Sequence, residues 1–242
     1  NEVAIEGNSA SLYGGGVYNA ELGRLTVTNS TISGNTARDG GGVYNYYGKL
    51  TVTDSTISGN RTSRNGGGIW GTQLFAGSGR TTTITNSTIS GNIAGSDGGG
   101  VYSFNGLIVI EHSTITLNTA TTEGDGVWSY GGTQIRVRSS IIAGNTDDDD
   151  VYTLNGSSFI SQGYNLIGGG NDSGAFTATG DQTGVTNPML GALADNGGPT
   201  QTHALLAGSP ALDGGDPSAM AGVGDVPVYD QRGAGFDRVS NG

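Results

Sequence analysis

The stretch LTVTNSTISGN, which runs from Leu25 to Asn35, decides how this chain folds because the chain repeats it. Close copies are LTVTDSTISGN, from Leu50 to Asn60, and TTITNSTISGN, from Thr82 to Asn92. Looser copies are IVIEHSTITLN, residues 108–118, and IRVRSSIIAGN, residues 135–145. Self-similarity at a period of 25 to 32 residues is the sequence signature of a repeat architecture.

Each repeat is built from short strands. Apolar and polar residues alternate in LTVT, as in a half-buried strand, and STIS and the later GVY stretch indicate a second and a third strand. A strand–helix–strand crossover needs about 30 residues and a helical period, and the repeats show no such period. The pattern therefore predicts an all-β fold: a right-handed parallel β-helix, or solenoid, of about six coils with an irregular C-terminal cap. Successive coils should stack about 4.8 Å apart.

Equivalent residues of stacked coils should lie above one another, so recurring residues define columns. The predicted apolar column of the second strand is Ile32, Ile57, Ile89, Ile115 and Ile141. One asparagine closes each repeat: Asn8, Asn35, Asn60, Asn92, Asn118 and Asn145. Because an asparagine amide can bond to the asparagine of the next coil, these six residues are predicted to form a structural ladder.

Three glycines, a β-branched residue and an aromatic residue also recur, as in NTARDGGGVYN, residues 35–45. A corner that needs a positive φ in one coil needs it in every coil, which explains the glycines. The predicted inward column is Val17, Val43, Ile69, Val101, Val127 and Val151. Neighbours in a strand face opposite ways, so the next column should point outward: Tyr18, Tyr44, Trp70, Tyr102, Trp128 and Tyr152. This aromatic column is a candidate ligand-binding surface for a linear glycan; alternatively, the rings stack on each other and stiffen the helix.

Composition excludes several classes of protein. The chain has 242 residues, of which 47 are glycine and none is cysteine, so disulfides and thiolate metal sites are absent. A net charge of -11 repels phosphate backbones and argues against nucleic acid as a partner. No apolar run of about 18 residues is present that could span a membrane. The opening at Asn1 without methionine is interpreted as a processed or trimmed piece of a longer protein.

These residues resemble known families. GGGVYN and LTVTNSTISGN resemble the repeats of bacterial right-handed parallel β-helix surface proteins, and are similar to the pectate-lyase-like superfamily and to chlamydial polymorphic outer-membrane repeats. In the C-terminal part, SQGYNLIG (residues 161–168), the stretch from Asn187 to Asp216 and DQRG (residues 230–233) resemble the choice-of-anchor Q domain. The resemblance implies a secreted bacterial protein, extracellular or on the cell surface.

We expect one domain. Residues 1–154 should form the coils, with an insertion at residues 72–80 as a protruding loop, and residues 155–242 a final irregular coil and a C-terminal capping region. The first repeat has no LTVT strand, so the amino-terminal coil should present an open edge. Head-to-tail stacking of copies on that edge is one expected partnership, and cell-surface or extracellular polysaccharide is the other.

Catalysis has little support in the repeats. A glycoside hydrolase needs two carboxylates across a groove, yet Asp54 stands nearly alone among the outward Thr, Ser and Asn residues. Arg136 and Arg138 share one face, but no acidic cluster recurs beside them to hold the cation of a lyase. We therefore expect a non-catalytic structural or adhesive protein that self-assembles end to end into filaments. The alternatives are a carbohydrate-binding module that uses the aromatic column and a polysaccharide lyase or hydrolase.

The stretch TDDDDVY replaces the glycine corner with four aspartates: Asp147, Asp148, Asp149 and Asp150. Hard cations collect carboxylate oxygens, so Ca²⁺ is the one cofactor that this acidic turn leaves open; a solvated turn is the alternative. His112 occupies a turn position and is expected to be exposed, and His203 is expected to pack in the cap.

Overall fold

The chain folds as the repeats predict. A computed structural model describes residues 2–73 and 80–239 and shows an all-β solenoid of about six coils built from parallel sheets, with almost no helix. The predicted fold class is confirmed. Part of the predicted insertion at residues 72–80 lies outside the described residues, which omit 74–79.

Four parallel sheets run along the solenoid. Sheet 1 holds the LTVT strands: Arg24–Thr28, Lys49–Thr53, Thr81–Thr85, Leu107–Glu111, Gln134–Arg138 and Ser158–Ser161. Sheet 2 holds the strands of the TIS segment: Ala4–Glu6, Thr31–Ser33, Thr56–Ser58, Thr88–Ser90, Thr114–Thr116, Ile141–Ile142 and Leu166–Ile167. Sheet 3 holds two-residue strands: Thr36–Ala37, Arg61–Thr62, Ile93–Ala94 and Thr119–Ala120. Sheet 4 holds the strands with the aromatic column: Val17–Asn19, Val43–Tyr46, Ile69–Thr72, Val101–Phe104, Val127–Tyr130 and Val151–Leu154.

The remaining elements are short. In the described part of the chain, two 3₁₀ helices span Thr146–Asp148 and Ser173–Ala175, and an antiparallel pair joins Leu190–Ala194 to Thr202–Leu205. The sequence predicted three strands in each coil, and sheet 3 is a fourth. Its strands have only two residues, too few for any alternation to be visible in the sequence.

The register of the sheets places identical side chains above one another. Ile32 pairs with Ile57, and the column continues through Ile89 and Ile115. The predicted next member, Ile141, is wrong: Ile115 pairs with Ile142, which is fully buried. The repeat here contains two adjacent isoleucines, and the one that enters the core is the one three residues before the closing asparagine, as in the other coils. These isoleucines form one continuous core with the inward residues of sheets 1 and 4.

The glycine triplet is required by the closeness of the coils. Gly40 has φ +66°, a left-handed conformation that glycine adopts without strain. A Cβ on Gly41 would lie 2.5 Å from the Gly67 carbonyl oxygen, and one on Gly42 would lie 2.6 Å from the Gly68 carbonyl oxygen. The backbone of the next coil thus passes where a side chain would start.

The asparagines that close the repeats bond to one another across the coils. Asn35 Nδ2 donates to Asn60 Oδ1 at 2.9 Å, and the column continues through Asn92, Asn118 and Asn145 with Nδ2 to Oδ1 distances of 2.9 to 3.0 Å. Each Oδ1 also accepts the backbone N–H of the asparagine in the coil before it, as Asn60 Oδ1 does from Asn35. Asn60 Nδ2 donates a second bond to the carbonyl of Ile32. The inner amides are therefore fully satisfied although they are buried.

The C-terminal part consists of two segments that pack on different sides of the solenoid. Residues 155–184 complete the last coil and close its end, where Phe176 packs on Phe159 at 5.4 Å between ring centroids. Residues 187–239, here called the return segment, lie against the outward side of sheet 2 rather than over the end of the solenoid. Thr56 Oγ1 donates to the carbonyl of Gln201 at 2.6 Å, and Thr88 Oγ1 donates to Gln231 Oε1 at 2.7 Å. Thr56, Thr88 and Ser90, which point outward from the central strands of sheet 2, are buried because this segment covers them.

Replacing Asn60 by alanine should lower the free energy of unfolding by about 3 kcal/mol or more, because the Asn35 amide groups, Asn92 Oδ1 and the Ile32 carbonyl would lose partners inside the protein. Urea denaturation measures this change. Asn8→Ala is the matched control: Asn8 is exposed at the end of the column and should cost less than about 1 kcal/mol. Equal losses of unfolding free energy in the two variants would show that a buried ladder asparagine stabilises the protein no more than the exposed one at the end.

Candidate functional site

The aromatic column lies on the outward face of sheet 4. Neighbouring ring centroids are 5.5 Å apart from Tyr18 to Tyr44 and 4.1 Å apart from Tyr44 to Trp70, and the planes are within 8° of parallel. The stack continues to Tyr102 at 5.9 Å and to Trp128 at 4.7 Å. Tyr152 follows Trp128 in the register of the strands, so the structure brings all six predicted residues into one column.

Tyr44, Trp70 and Tyr102 each lie between two other rings of the column, so their faces are covered. Tyr44 and Trp128 are buried, whereas Tyr18, at the end of the stack, is 47% exposed. Further aromatic residues that the sequence analysis missed widen the stack: Tyr13 lies 4.6 Å from Tyr44, and Tyr130 lies 6.0 Å from Trp128. A sugar needs a free ring face for stacking, so the inner rings would offer it their edges.

Burial favours the neutral, protonated form of the tyrosine hydroxyls in the aromatic column. Desolvation raises the pKa of Tyr102 to about 12, with a further contribution from the negative charge of Asp97. It raises the pKa of Tyr44 above its usual range as well, helped by Tyr13 and Asp39. These phenols are neutral at physiological pH, and the stack contributes dispersion and apolar burial rather than charge.

The acidic turn, Asp147 to Asp150, lies at the corner that the earlier coils form with the glycine triplet. Asp150 takes the place of the next ladder residue, since its Oδ1 accepts Asn145 Nδ2 at 2.6 Å and its Oδ2 accepts the Gly169 N–H at 2.9 Å. Asp149 Oδ2 accepts the Gly124 N–H at 2.6 Å, and Asp147 has φ +56°. Among the side chains that the structure describes, which do not include that of Asp148, no group of three or more Asp, Glu or His residues is arranged to hold a metal ion. The calcium site stays a prediction, and the contacts of Asp149 and Asp150 are those of a capped turn.

One further carboxyl at this corner has an unusual environment. Asp125 stands where the four preceding coils have the middle glycine of the triplet, is 3% exposed, and accepts a hydrogen bond from the Ala120 N–H. Burial raises the pKa of Asp125 to about 7; the Ala120 hydrogen bond opposes the shift, and the charges of Asp149, Asp147 and Asp150 add to it. Asp125 was not among the predicted site residues, although an aspartate in place of a glycine in a repeated triplet is visible in the sequence.

A cleft of about 920 Å³ separates the return segment from the outward side of sheet 2. His112 and Arg138 lie on the solenoid side of this cleft, and His203 and Arg238 lie on the return segment. His112 is 7% exposed, so the expectation of an exposed turn histidine is wrong: the return segment, which is distant in sequence, covers it. Arg138 Nη1 bonds to both carboxylate oxygens of Asp225 at 2.5 Å.

The two histidines have distinct roles. His203 joins the return segment to the solenoid: its Nδ1 donates to the Gly191 carbonyl at 2.6 Å, so its Nε2 accepts from Ser90 Oγ at 2.8 Å. Desolvation lowers the pKa of His203, which keeps this ring neutral. Desolvation, reinforced by the positive charge of Arg238, lowers the pKa of His112 to about 4.

The residues considered for catalysis do not come together as a reactive pair. Asp54 Oδ1 accepts Asn86 Nδ2 at 2.6 Å, and burial raises its pKa, an effect that the Asn86 hydrogen bond opposes. Arg136 is exposed on sheet 1, whereas Arg138 is bound to Asp225. Their shared face is as predicted, but the structure assigns the two arginines different surroundings.

Comparison with known proteins identifies the type of repeat. Residues 54–72 match the Chlamydia polymorphic membrane protein repeat, and they correspond to strands of sheets 2, 3 and 4. Neither the curated proteins nor the solved structures that were compared gave a match. Together with the solenoid, the repeat fits a bacterial outer-membrane-type β-helix repeat protein and suggests a surface or outer-membrane location. Resemblance to the choice-of-anchor Q domain stays a prediction. In the described part of the chain, no helix is both long and apolar enough to cross a bilayer.

Trp128→Ala should lower the free energy of unfolding by about 3 kcal/mol, because it opens a cavity in the buried part of the stack. Trp128→Phe is the matched control: it keeps a ring in the stack and removes a buried indole N–H that has no partner among the described residues, so the loss should stay below about 1.5 kcal/mol. Chemical denaturation of both variants checks the ranking, and a harmless alanine variant would contradict a stabilising stack.

Asp125→Asn should make the protein more stable above pH 7. Because the pKa of Asp125 is raised in the folded state, its contribution to stability is fully present below about pH 4 and is lost as the pH rises through about 7. Asparagine can still accept the Ala120 N–H but does not ionise. We expect a gain on the order of 2 kcal/mol at pH 8 and little change at pH 4, measured by urea unfolding at both values. Parallel pH profiles of variant and wild type would refute the raised pKa.

Proposed function

We propose that this chain is a non-catalytic structural or adhesive protein of the bacterial surface, in which the β-helix serves as a stiff rod. The observation that carries the proposal is how the recurring side chains are used. The asparagine ladder, the aromatic column and the isoleucine core all connect one coil to the next. Side chains committed to holding the coils together are what a rod requires, and they are not available to bind or turn over a substrate.

The surface location is supported by the type of repeat. The matched repeat at residues 54–72 takes its name from a membrane protein of Chlamydia, and the tail motifs resemble a domain of surface-attached bacterial proteins. The lack of cysteine and the net charge of -11 suit a protein that needs solubility but no redox chemistry.

The proposal extends to assembly. Among the described residues, Arg24–Thr28 and Ala4–Glu6 are the end strands of sheets 1 and 2. Exposed strand edges bind other strands, and a head-to-tail contact that does not close on itself produces filaments. End-to-end stacking of copies would extend the ladder, the aromatic column and the core in register.

Two alternatives remain for experiment. A carbohydrate-binding module using the aromatic column would depend on Tyr18 and on ring edges, because the inner faces are covered. A polysaccharide lyase or hydrolase would need a pair of free carboxylates or an arginine base, whereas Asp54 and Arg138 are engaged by Asn86 and Asp225.

A screen of acidic and neutral polysaccharides separates these functions. We expect no release of soluble products, and we expect sedimentation velocity to show elongated species whose size grows with protein concentration. Product release would overturn the non-catalytic proposal. A monodisperse monomer at high concentration would overturn end-to-end assembly. Retention of polysaccharide that Trp70→Ala abolishes, but Thr51→Ala on the outward face of sheet 1 does not, would favour the carbohydrate-binding module.

A further inference from the structure

The cleft between the return segment and sheet 2 has the size and lining of a ligand site. Its volume of about 920 Å³ lies within the range of small-molecule pockets, about 300 to 1,000 Å³. Hydroxyl and amide side chains from both sides line it, among them Thr88, Asn165, Thr202 and Gln231. These hydroxyl and amide groups can hold a hydrated, oxygen-rich ligand, and apolar side chains such as Leu205 and Val226 line other parts of the cleft.

Three arginines line this cleft together with three aspartates, Asp213, Asp216 and Asp230. Arg138, Arg232 and Arg238 line it, and they are three of the 10 basic residues of a chain with net charge -11. Arg138 is neutralised by Asp225, and Arg232 by Asp230, which its Nη2 contacts at 2.6 Å. Asp213 and Asp216 line the cleft as well, and Asp216 accepts from the Ser218 hydroxyl at 2.7 Å.

Arg238 is the exception among these arginines. It is half-buried, and no carboxylate of residues 2–73 or 80–239 lies within 4.0 Å of its guanidinium. Its Nη2 lies 3.4 Å from His112 Nδ1. The charge of Asp230 acts on Arg238 from beyond ion-pair distance and is already paired with Arg232, so an anion in the cleft would give this half-buried guanidinium a direct partner.

His112 adds a second donor beside Arg238. Because Arg238 Nη2 donates to Nδ1, the neutral ring carries its proton on Nε2. That nitrogen is buried and has no hydrogen-bond partner within 3.5 Å in the described chain. An unsatisfied buried donor destabilises the folded protein, and an acceptor brought in by a ligand would remove this destabilisation.

We propose that the cleft is a binding site for a small oxyanion, of the carboxylate or phosphate class, which pairs with Arg238 next to His112. The hydroxyl and amide side chains of the walls would bind the rest of the ligand. The carboxylates of Asp213 and Asp216 would repel a polyanion, so a ligand of low charge is favoured. This site is independent of the structural role proposed above, since it uses none of the columns that hold the coils together.

Titration of the intact protein with sodium phosphate and with sodium acetate, followed by NMR chemical shifts at constant ionic strength set with sodium chloride, tests the site. We expect a saturable response to one of these anions, and the more strongly bound one identifies the class. Arg238→Gln should weaken binding at least about tenfold, because it removes a charge-assisted hydrogen bond. Arg136→Gln is the matched control, since this arginine is exposed on sheet 1, and it should bind as the wild type does.

Two further variants keep the test decisive. His112→Asn should weaken binding without unfolding the chain, because Asn29 and Asn86 adopt the same left-handed backbone conformation at φ +48° and +50° in other coils. Arg238→Lys keeps the charge and should retain part of the affinity. The proposal is overturned if neither anion gives a saturable response with the wild type, or if Arg238→Gln and Arg136→Gln respond alike. If Arg238→Gln does not fold, the comparison of Arg238→Lys with His112→Asn and the wild-type titration decide the matter.

Discussion

The structure depends on the hydrogen bonds that join each closing asparagine to the asparagine of the next coil. Every inner amide donates twice and accepts twice, so a shift of one coil by a single residue would leave buried donors and acceptors without partners. The parallel strands could pair in other registers, but the ladder selects one. The isoleucine core, the glycine corner and the aromatic column all follow from that register.

The same constraint explains what could be predicted from the sequence. A residue that must meet its own copy in the next coil has to recur, so the ladder, the inward valines and the aromatic column are visible as repeats. Ile141 was wrongly assigned to the core column because Ile141 and Ile142 are adjacent in the sequence. Only the number of residues to Asn145 shows which of the two occupies the core position. Sheet 3 was missed because two-residue strands carry no alternation.

Contacts across long sequence separations could not be predicted. Thr56 and Gln201 are 145 residues apart, and Ser90 and His203 are 113 apart, so no local pattern announces that the return segment lies on sheet 2. Burial of His112 and the partnership of Arg138 with Asp225 are consequences of that packing. The aromatic column was located correctly, but its coverage by Tyr13 and Tyr130 depends on side chains outside the repeated positions.

The solenoid and the return segment therefore differ in how freely their residues can be substituted. In the solenoid, a substitution at a column position disturbs both neighbouring coils, as the 2.5 Å approach of a Gly41 Cβ to Gly67 illustrates. The return segment attaches to the solenoid through polar contacts, among them the bonds that Gln231 Nε2 donates to Thr56 Oγ1 and to the Ser55 carbonyl. Side chains between those contacts, such as Arg238, are free of the repeat constraint, so specific chemistry can arise in the cleft while the rod stays uniform.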